Sequence, residues 1–334
     1  MEFDVITIGS ATRDGFFEGV DFLSVEGKCF ITNKGICLPL GAKIRVPKVH
    51  FLTGGSATNT AVSFARQKLK AAVICRVGND ISGKTIIKEQ KEEDIDIQFI
   101  QKDYLVPTAY SVIFLTSSGE RTILSYKGSA ENLTIQEIPW KKIKTRWLCI
   151  GSLGKEKNIL KKIIQFAVSE NIKLAINPGW HEINWFKKHP KWLDKFEIFI
   201  CNQEEAAYFT DIPYTKEKKI FKRLDNLVNG IVVMTKGKNG VSVSNGKILW
   251  KAGVFKRKKT MDTTGAGDAF ASAFISTFIK KKRIDERLIK EAIRMGSANA
   301  TSVIEYIGTK PGILYKKDFK KSRFQHLKIT TLKL

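Results

Sequence analysis

Residues 259–274 read KTMDTTGAGDAFASAF. They combine two acids, Asp262 and Asp268, with a glycine-containing turn at the start of a predicted helix made of small residues. Thr and Asp before an apolar run are ordinary helix-start signals, but such a signal explains only one of the two acids. Gly265, Ala266 and Gly267 present successive backbone amides with almost no side-chain cover, which is how a helix N-terminus binds a negatively charged oxygen. Asp268 falls in the first turn, where the helix dipole lowers the pKa of a carboxyl. We therefore expect an anionic ligand at the turn, beside an ionised carboxylate that accepts a proton from an attacking hydroxyl.

Other polar residues directly follow predicted strands. In an open α/β sheet, ligands bind outside the carboxyl ends of the strands, so such residues are candidates for a shared site. A carboxylate and an amide can bind adjacent hydroxyls, and a Gly-Gly turn lets a substrate approach the backbone. The candidates are Asp14 after the first strand, Gly54, Gly55 and Asn59 at the start of the first helix, and the segments Asn177-Pro178-Gly179, Asn202-Gln203-Glu204-Glu205 and Thr235-Lys236-Gly237.

The elements that must position these residues alternate between strand and helix patterns. Apolar runs such as VITI (5–8), WLCI (147–150) and KLAI (173–176) predict buried strands, and segments such as 58–68 and 158–169 have helical spacing. This alternation predicts an α/β fold with a doubly wound, mainly parallel central sheet flanked by helices. We expect one domain over residues 1–334, with two β-rich islands, about 15–50 and 108–126, joined as a small β-sheet lid over the acceptor site.

The chain is strongly basic, with 57 Lys and Arg against 33 Asp and Glu and a formal charge of +24. Such a charge is typical of nucleic-acid-binding proteins, and this alternative stays open. The lysines are, however, scattered in pairs and triplets without an aromatic-interleaved patch. We favour a solvated Lys-rich surface and expect no nucleic-acid partner.

The cysteines and the hydropathy of the chain point to a soluble cytoplasmic protein without a membrane partner. The five cysteines are odd in number and lack zinc spacing, which predicts buried thiols in a reducing compartment. No segment approaches the roughly 18 apolar residues that a membrane span requires.

Three motifs in order make the chain similar to the ribokinase (PfkB-type) family of carbohydrate and nucleoside kinases, along nearly its whole length. DTTGAGDAF at 262–270 resembles the C-terminal signature of that family. GGSATNTAVSFARQ, followed by VGNDISG at 77–83, resembles the N-terminal signature, and NQEE at 202–205 resembles its Asn-x-x-Glu motif.

The resemblance implies an ATP- and Mg²⁺-dependent kinase that phosphorylates a hydroxyl of a small sugar or sugar-like molecule. It implies that Asp268 is the catalytic base and that the 265–267 amides form the anion hole. By the same resemblance, Asp14, Gly54, Gly55 and Asn59 bind the acceptor, and Glu205, with Asn202, holds Mg²⁺ through water. Thr235, Gly237 and, as a looser match, Asn299 lie where the family binds the nucleotide, and Asp262 lies where some relatives bind a monovalent cation such as K⁺.

Several alternatives remain open. Asp14 could be a turn residue, Asn59 a helix-start residue, and Asn202 with Glu205 a helix-capping pair. Thr12-Arg13 stands where many sugar kinases carry Asn, and GGSATNTA also resembles nucleoside kinases, so a ribonucleoside (adenosine-like) kinase is the alternative function. A non-catalytic binding protein on the same fold would need to have lost the base or the anion hole. The exposed edge and outer face of a β lid would also offer a surface for a homodimer.

Overall fold

The computed structural model describes residues 2–20, 22–27, 33–116, 121–156, 158–281 and 283–334. Within these residues the chain forms an α/β core and a small separate sheet. The strands are β1 (Val5–Ile8), β2 (Thr12–Glu18), β3 (Leu23–Glu26), β4 (Lys34–Cys37), β5 (Lys48–Gly54), β6 (Ala71–Ile74), β7 (Arg76–Gly78), β8 (Gln101–Asp103), β9 (Ala109–Leu115), β10 (Arg121–Tyr126), β11 (Trp147–Ile150), β12 (Lys173–Ile176), β13 (Ile198–Asn202), β14 (Ile231–Thr235), β15 (Val241–Ser244), β16 (Ile248–Ala252) and β17 (Ile329–Lys333). The helices are α1 (Ser56–Arg66), α2 (Ile81–Glu92), α3 (Ile159–Ser169), α4 (Trp180–Lys188), α5 (Gln203–Thr210), α6 (Glu217–Asp225), α7 (Ala266–Ser276) and α8 (Glu286–Val303).

The central sheet has the order β17-β16-β15-β14-β13-β12-β11-β1-β6. The strands from β14 to β6 in this order are parallel, and β15, β16 and β17 add an antiparallel edge. The apolar residues of the runs predicted as core strands are buried, with only Lys173 of KLAI partly exposed, because both faces of the sheet are covered. The predicted fold class is confirmed, and the sheet places the ends of β1, β12, β13 and β14 along one edge.

Alternate residues of the parallel strands pack into two cores on opposite faces of the sheet. Ile6 and Leu148 belong to the core that contains Ile163 of α3, whereas Trp147 belongs to the core that contains Phe274 of α7. This alternation follows from the two-residue period of a strand. The apolar face of α7 therefore packs against the sheet. This packing places the N-terminus of α7 near the edge of the sheet.

The small sheet has the order β10-β9-β2-β5 and is made from both predicted β-rich islands. β2 pairs antiparallel with β5 and parallel with β9, so segments almost one hundred positions apart in the sequence become neighbours. Phe16, Ile113 and Leu115 form its buried apolar face. The strands β3 and β4, inside the predicted 15–50 island, form a separate two-stranded sheet instead, and residues 28–32 and 117–120 lie outside the described part of the chain.

Three of the cysteines, Cys75, Cys149 and Cys201, are buried as predicted, and burial raises the pKa of the Cys75 thiol to about 12. The prediction is wrong for Cys37, which is exposed because β4 pairs with β3 in a two-stranded sheet outside the core. Cys29 lies outside the described residues. Among the described helices, none has the length and apolar character needed to cross a bilayer.

Candidate active site

The Gly-Ala-Gly turn forms the N-terminus of α7, as the sequence predicts. Gly265 caps the helix with a left-handed backbone (φ 77°), and a Cβ at this position would lie 2.7 Å from the Cβ of Thr309. Both the backbone conformation and the close packing therefore require glycine. Gly267 is exposed, and a Cβ added there would meet no atom within 4 Å. The first turn of α7 has no side-chain cap, and although the Ala266 amide lies 3.4 Å from Thr263 O, the open space at Gly267 lets an anion approach the helix N-terminus.

Asp268 lies in this first turn and receives hydrogen bonds from two side-chain amides. Asn59 Nδ2 donates to its Oδ2 at 2.9 Å, and Asn177 Nδ2 lies 3.5 Å from its Oδ1. The residue keeps some solvent exposure, but burial raises the pKa of the carboxyl to about 6, with the two amides opposing this shift. The expectation of a lowered pKa is therefore wrong, because the loss of water around the carboxylate outweighs the helix dipole and the two donors.

Asn59 reaches Asp268 from the second turn of α1. This helix begins at Gly55 (φ 104°), where a Cβ would lie 2.5 Å from the carbonyl oxygen of Ser10. The glycine lets the N-terminus of α1 press against the chain that leaves β1, which fixes where Asn59 points. Thr309 donates a hydrogen bond of 2.8 Å to the other end of the Asn59 amide, at Oδ1.

Asp14 lies on β2 with its carboxylate against Gly54. A Cβ on Gly54 would lie 2.2 Å from Asp14 Oδ2, so this carboxylate occupies the space that a side chain would fill. Thr12 donates to Oδ1 at 2.9 Å, and Ser111 of β9 also donates to the carboxylate. Burial nevertheless raises the pKa of Asp14. The structure thus brings Asp14 and Gly54 together on the small sheet, whereas the sequence pattern placed Asp14 directly after the first strand and Gly54 at the start of the first helix.

Asp262 is fully buried and organises the loop that precedes α7. Its Oδ1 accepts from the backbone amide of Thr264 at 2.8 Å and from the hydroxyl of Thr264 at 2.6 Å. Its Oδ2 accepts from the amide of Gly308 at 3.2 Å. These contacts give Asp262 a structural role, because they hold the loop before α7 in the conformation that starts the helix. The monovalent-cation site at this residue stays a prediction.

Arg121 connects the small sheet to this loop, a contact that the sequence did not indicate. Its Nε lies 3.8 Å from Asp262 Oδ1, and its Nη1 donates to the hydroxyl of Thr263. Nε itself has no hydrogen-bond partner among the described residues. A guanidinium with free donor capacity therefore stands at the approach to the α7 N-terminus.

A cleft beside the α7 N-terminus brings together two of the predicted nucleotide-binding residues. Thr235, at the end of β14, and Gly237 line it together with Ala266, Gly267 and Phe270 of the α7 segment. Gly237 has a left-handed backbone (φ 54°), and a Cβ there would meet no atom within 4 Å. The anion-binding turn therefore forms one wall of a groove with apolar lining, which is typical of small-ligand sites.

Asn202 and Glu205 lie next to this cleft, since Asn202 is paired with Thr235 in the sheet. They form a capping box for α5: Asn202 Oδ1 accepts from the Glu205 amide at 2.8 Å, and Glu205 Oε2 accepts from the Asn202 amide at 2.8 Å. The capping alternative is thus realised. Burial raises the pKa of Glu205. Among the described residues, no three His, Cys, Asp or Glu side chains converge as a metal site.

Asn299 is a predicted nucleotide-binding residue that the structure does not bring to the cleft. Its side chain is fully buried on α8, and Nδ2 donates to Ala269 O at 2.8 Å and to Ser63 Oγ at 3.2 Å. Its Oδ1 accepts from the Leu314 amide at 2.8 Å. Both ends of the amide are engaged, so Asn299 joins α1, α7 and α8, while its neighbours Ser297, Ala300 and Thr301 line the cleft.

Lys310 is a second feature that sequence reasoning missed. Its ammonium group is buried and contacts Glu89 Oε2 at 2.6 Å and the hydroxyl of Thr53 at 2.5 Å. Burial lowers the pKa of Lys310, and the charges of Glu89 and Asp14 oppose this shift. Thr53 immediately precedes Gly54, so the ion pair braces the end of β5 where the small sheet joins α1. Asn177 is among the sequence candidates because it directly follows a predicted strand, whereas Thr309 and Lys310 give no such signal.

Comparison with known proteins gives the family of this chain. The model of the pfkB family of carbohydrate kinases matches residues 27–314. ATP-dependent 6-phosphofructokinase of Thermoanaerobacterium thermosaccharolyticum is 25% identical over 269 residues, which are 76% of this chain and 80% of that protein. Ribokinase of Mus musculus is 28% identical over 276 residues, 79% of this chain and 82% of that protein.

A solved structure shows the same fold over the whole length. Arabidopsis thaliana ribokinase, in complex with ribose and ATP, superposes with a TM-score of 0.74 and 19% identity, covering 98% of this chain and 100% of that one. The chain belongs to the pfkB family of carbohydrate kinases, as its motifs suggested. It is therefore an ATP-dependent phosphotransferase of the sugar and nucleoside kinase class with an alcohol group as acceptor.

Proposed function

We propose that this kinase transfers the γ-phosphoryl group of ATP to a hydroxyl of a small sugar, with Asp268 as the base. The observation that carries the proposal is the position of Asp268, one residue after the exposed amide of Gly267 and at the end of two amide hydrogen bonds. Asp268 would take the proton of the attacking hydroxyl as its oxygen bonds to the γ-phosphorus. The bond from that phosphorus to the bridging oxygen of ADP breaks, and ADP leaves with the electron pair.

The pKa of about 6 suits Asp268 for this role. A carboxylate with such a pKa is ionised at neutral pH and is a better proton acceptor than one with an ordinary pKa. The amides of Gly265, Ala266 and Gly267 would stabilise the charge on the transferring group, since the N-terminus of α7 is positive and faces open space. Arg121, at the loop before α7, adds a positive charge that would attract the same anionic group.

We propose that the nucleotide occupies the cleft at Thr235 and Gly237, because this cleft opens onto the anion-binding turn. Asn202 and Glu205 would hold Mg²⁺ through water. The capping bonds leave carboxylate capacity on Glu205 for a metal-bound water, so the residues fit a water-mediated role. Mg²⁺ would neutralise phosphate charge, while this chain's own residues position the nucleotide. A monovalent cation at Asp262 belongs to the same proposal, although donors already surround that carboxylate.

The acceptor would lie between Asp268 and the small sheet, with Asp14 and Asn59 binding its hydroxyls. Their positions support this arrangement, since Asn59 contacts the base directly and the β2 carboxylate lies at the junction of sheet and core. We propose that β2, β5, β9 and β10 act as a lid that excludes water, which would otherwise compete as the nucleophile. A sugar is favoured over a nucleoside because the relatives with 25% and 28% identity are named for sugar substrates.

A panel of acceptors tests this function. ADP release would be measured with pentoses, hexoses, sugar acids, sugar phosphates and ribonucleosides, each against a reaction without acceptor. A mock preparation from cells that do not express the protein, purified in parallel, controls for contaminating kinases. We expect turnover above the acceptor-free rate with at least one sugar class. Turnover with ribonucleosides alone would favour the alternative nucleoside kinase, and an equal rate with and without every acceptor would contradict the proposal.

We also propose a homodimer formed through the outer face of the lid. Phe51, Leu124 and Tyr126 are each more than half exposed on this sheet, at 55, 58 and 51%. Exposed apolar side chains on one sheet face are a common feature of protein interfaces. Light scattering should give twice the mass of the chain, and a Phe51→Glu, Leu124→Glu variant should give the monomer mass. A monomer for the unchanged protein at high concentration would contradict the dimer.

A further inference from the structure

Thr309 lies in the segment after α8, which returns to the active site. Its hydroxyl donates to Asn59 Oδ1 at 2.8 Å, and it lies 3.3 Å from the carbonyl oxygen of Thr53. Thr309 and Asn59 are each only 3% exposed, so water does not compete for this hydrogen bond. A hydroxyl has one proton to donate, and the shorter distance assigns that proton to Asn59.

This contact matters because a side-chain amide can point either way. With Oδ1 held by Thr309, Nδ2 faces Asp268 and donates at 2.9 Å. In the reverse orientation Oδ1 would face the carboxylate, and two acceptors would oppose each other without a proton between them. The charge of Asp268 favours the observed orientation only while the carboxylate is ionised. A base is protonated once in every turnover, so a second partner is needed to keep the amide in place.

We propose that Thr309 is a positioning residue that fixes the orientation of Asn59, so that the amide donor of Asn59 always faces the catalytic carboxylate. Thr309 does not contact the reacting atoms and acts through Asn59. Its methyl group has a separate contact, since Cγ2 would lie 2.8 Å from a Cβ placed on Gly265. The Thr309 side chain therefore contacts both Asn59, which is the partner of the proposed base, and the anion-binding turn. The inference rests on the proposed role of Asp268.

Among the groups around Asp268, the side-chain amides have the main local effect on its protonation. From α1 it faces Asn59, and from the end of β12 it faces Asn177. Burial raises its pKa and these two donors oppose the shift, and no charged side chain of the described residues is among the causes. The charged groups nearby interact with one another instead: Asp14 on β2 with Lys310 and Asp262, Glu89 on α2 with Lys310, and Arg121 on β10 with Asp262.

Two substitutions at Thr309 separate the hydroxyl from the methyl group. Thr309→Val keeps the methyl contact with Gly265 and removes the hydroxyl, whereas Thr309→Ser keeps the hydroxyl and removes the methyl group. A hydrogen bond to a charged group is worth enough to shift a pKa by about one unit. Thr309→Val should therefore raise the apparent pKa of Asp268 by about one unit, and Thr309→Ser should leave it within a few tenths. Thr309→Ala replaces the valine variant if valine prevents folding.

The measurement is the titration of the Asp268 carboxyl by NMR in ¹³C-Asp-labelled protein, with Asp268→Asn to assign the signal. The pH profile of kcat/KM for the acceptor is the second readout, and its acid limb should move by the same amount in Thr309→Val. Thr277→Val, which removes a buried hydroxyl bonded to Ala273 O farther along the same helix, is the control and should leave both readouts unchanged.

An unchanged Asp268 pKa in Thr309→Val would overturn the proposal, as would an equal shift in Thr309→Ser. A fall in kcat/KM by the same factor at every pH would indicate a merely structural role and would also overturn it. The NMR titration does not depend on turnover. If Asp268 is not the base, the kinetic profile fails while the titration still tests Thr309.

Discussion

Asn59 on α1 and Asp268 on α7 are 209 positions apart in the sequence and are joined by a hydrogen bond of 2.9 Å. Each comes from a helix N-terminal region whose start is fixed by a glycine, Gly55 for α1 and Gly265 for α7. The N-terminal regions of α1 and α7, each preceded by a glycine, therefore meet at the Asp268 carboxylate. The catalytic account depends on this meeting, since it sets the direction and the protonation of the proposed base.

The first prediction concerns the pH dependence of the reaction. The base must be ionised, and burial places the pKa of Asp268 at about 6. The value of kcat/KM for the acceptor should therefore be constant above this pH and should fall tenfold per unit as the pH drops below it. Initial rates between mildly acidic and mildly basic pH measure this. An acid limb near the ordinary pKa of Asp, about 4, would mean that the carboxylate is not desolvated as described.

The second prediction concerns stability. A carboxyl whose pKa is raised on folding destabilises the folded state once the pH is above that pKa, and the penalty disappears below the unfolded pKa of about 4. Asp268→Asn should therefore have a higher Tm than the unchanged protein near neutral pH, and the difference should shrink below a pH of about 6 and vanish below about 4.

Asp80→Asn is the matched control with the opposite sign. Backbone and side-chain donors of Thr108 and Gly83 hold the pKa of Asp80 below its usual value despite some desolvation. Its loss should lower Tm near neutral pH. Thermal denaturation of both variants checks the pair, and a lower Tm for Asp268→Asn would contradict the desolvation argument.

The sequence identified much of this site because polar residues after parallel strands must meet at one sheet edge. That rule placed Asn202 and Thr235 together at the ends of β13 and β14, but it did not show that Asp14 lies within β2 of the small sheet. It could not show that Asn299 is consumed by internal hydrogen bonds, because those partners come from α1, α7 and the chain beyond α8. The raised pKa of Asp268 was missed for a similar reason. Local sequence shows the helix dipole but not the packing that removes water.

The third prediction concerns the acceptor. Asp14 would bind hydroxyls that do not react, in the ground state and the transition state alike. Asp14→Asn should therefore raise KM for the sugar by about tenfold or more with a smaller effect on kcat. Glu18→Gln, at the other end of β2 where Glu18 contacts His50, is the control and should leave KM unchanged. Weakened ATP binding in Asp14→Asn, measured by calorimetry, would contradict the assignment of Asp14 to the acceptor site.

The fourth prediction concerns magnesium. If Glu205 acts on Mg²⁺ through water, Glu205→Gln should raise the Mg²⁺ concentration for half-maximal rate several-fold, since the charge is lost and the shape of the side chain is kept. Glu204→Gln, an exposed neighbour on the same helix, is the control. If both variants and the unchanged protein give the same Mg²⁺ titration, Glu205 does not act on Mg²⁺ and has only its capping role.

The most direct test of the account is the turnover of Asp268→Asn with the sugar found in the acceptor panel. Asn keeps the size and most of the hydrogen-bonding capacity of Asp, so the substitution removes proton acceptance without opening a cavity. We expect kcat to fall by roughly 10²–10⁴-fold, the range for a positioned base, while calorimetry shows nearly unchanged ATP binding. A kcat close to that of the unchanged protein would contradict the assignment of Asp268 as the base.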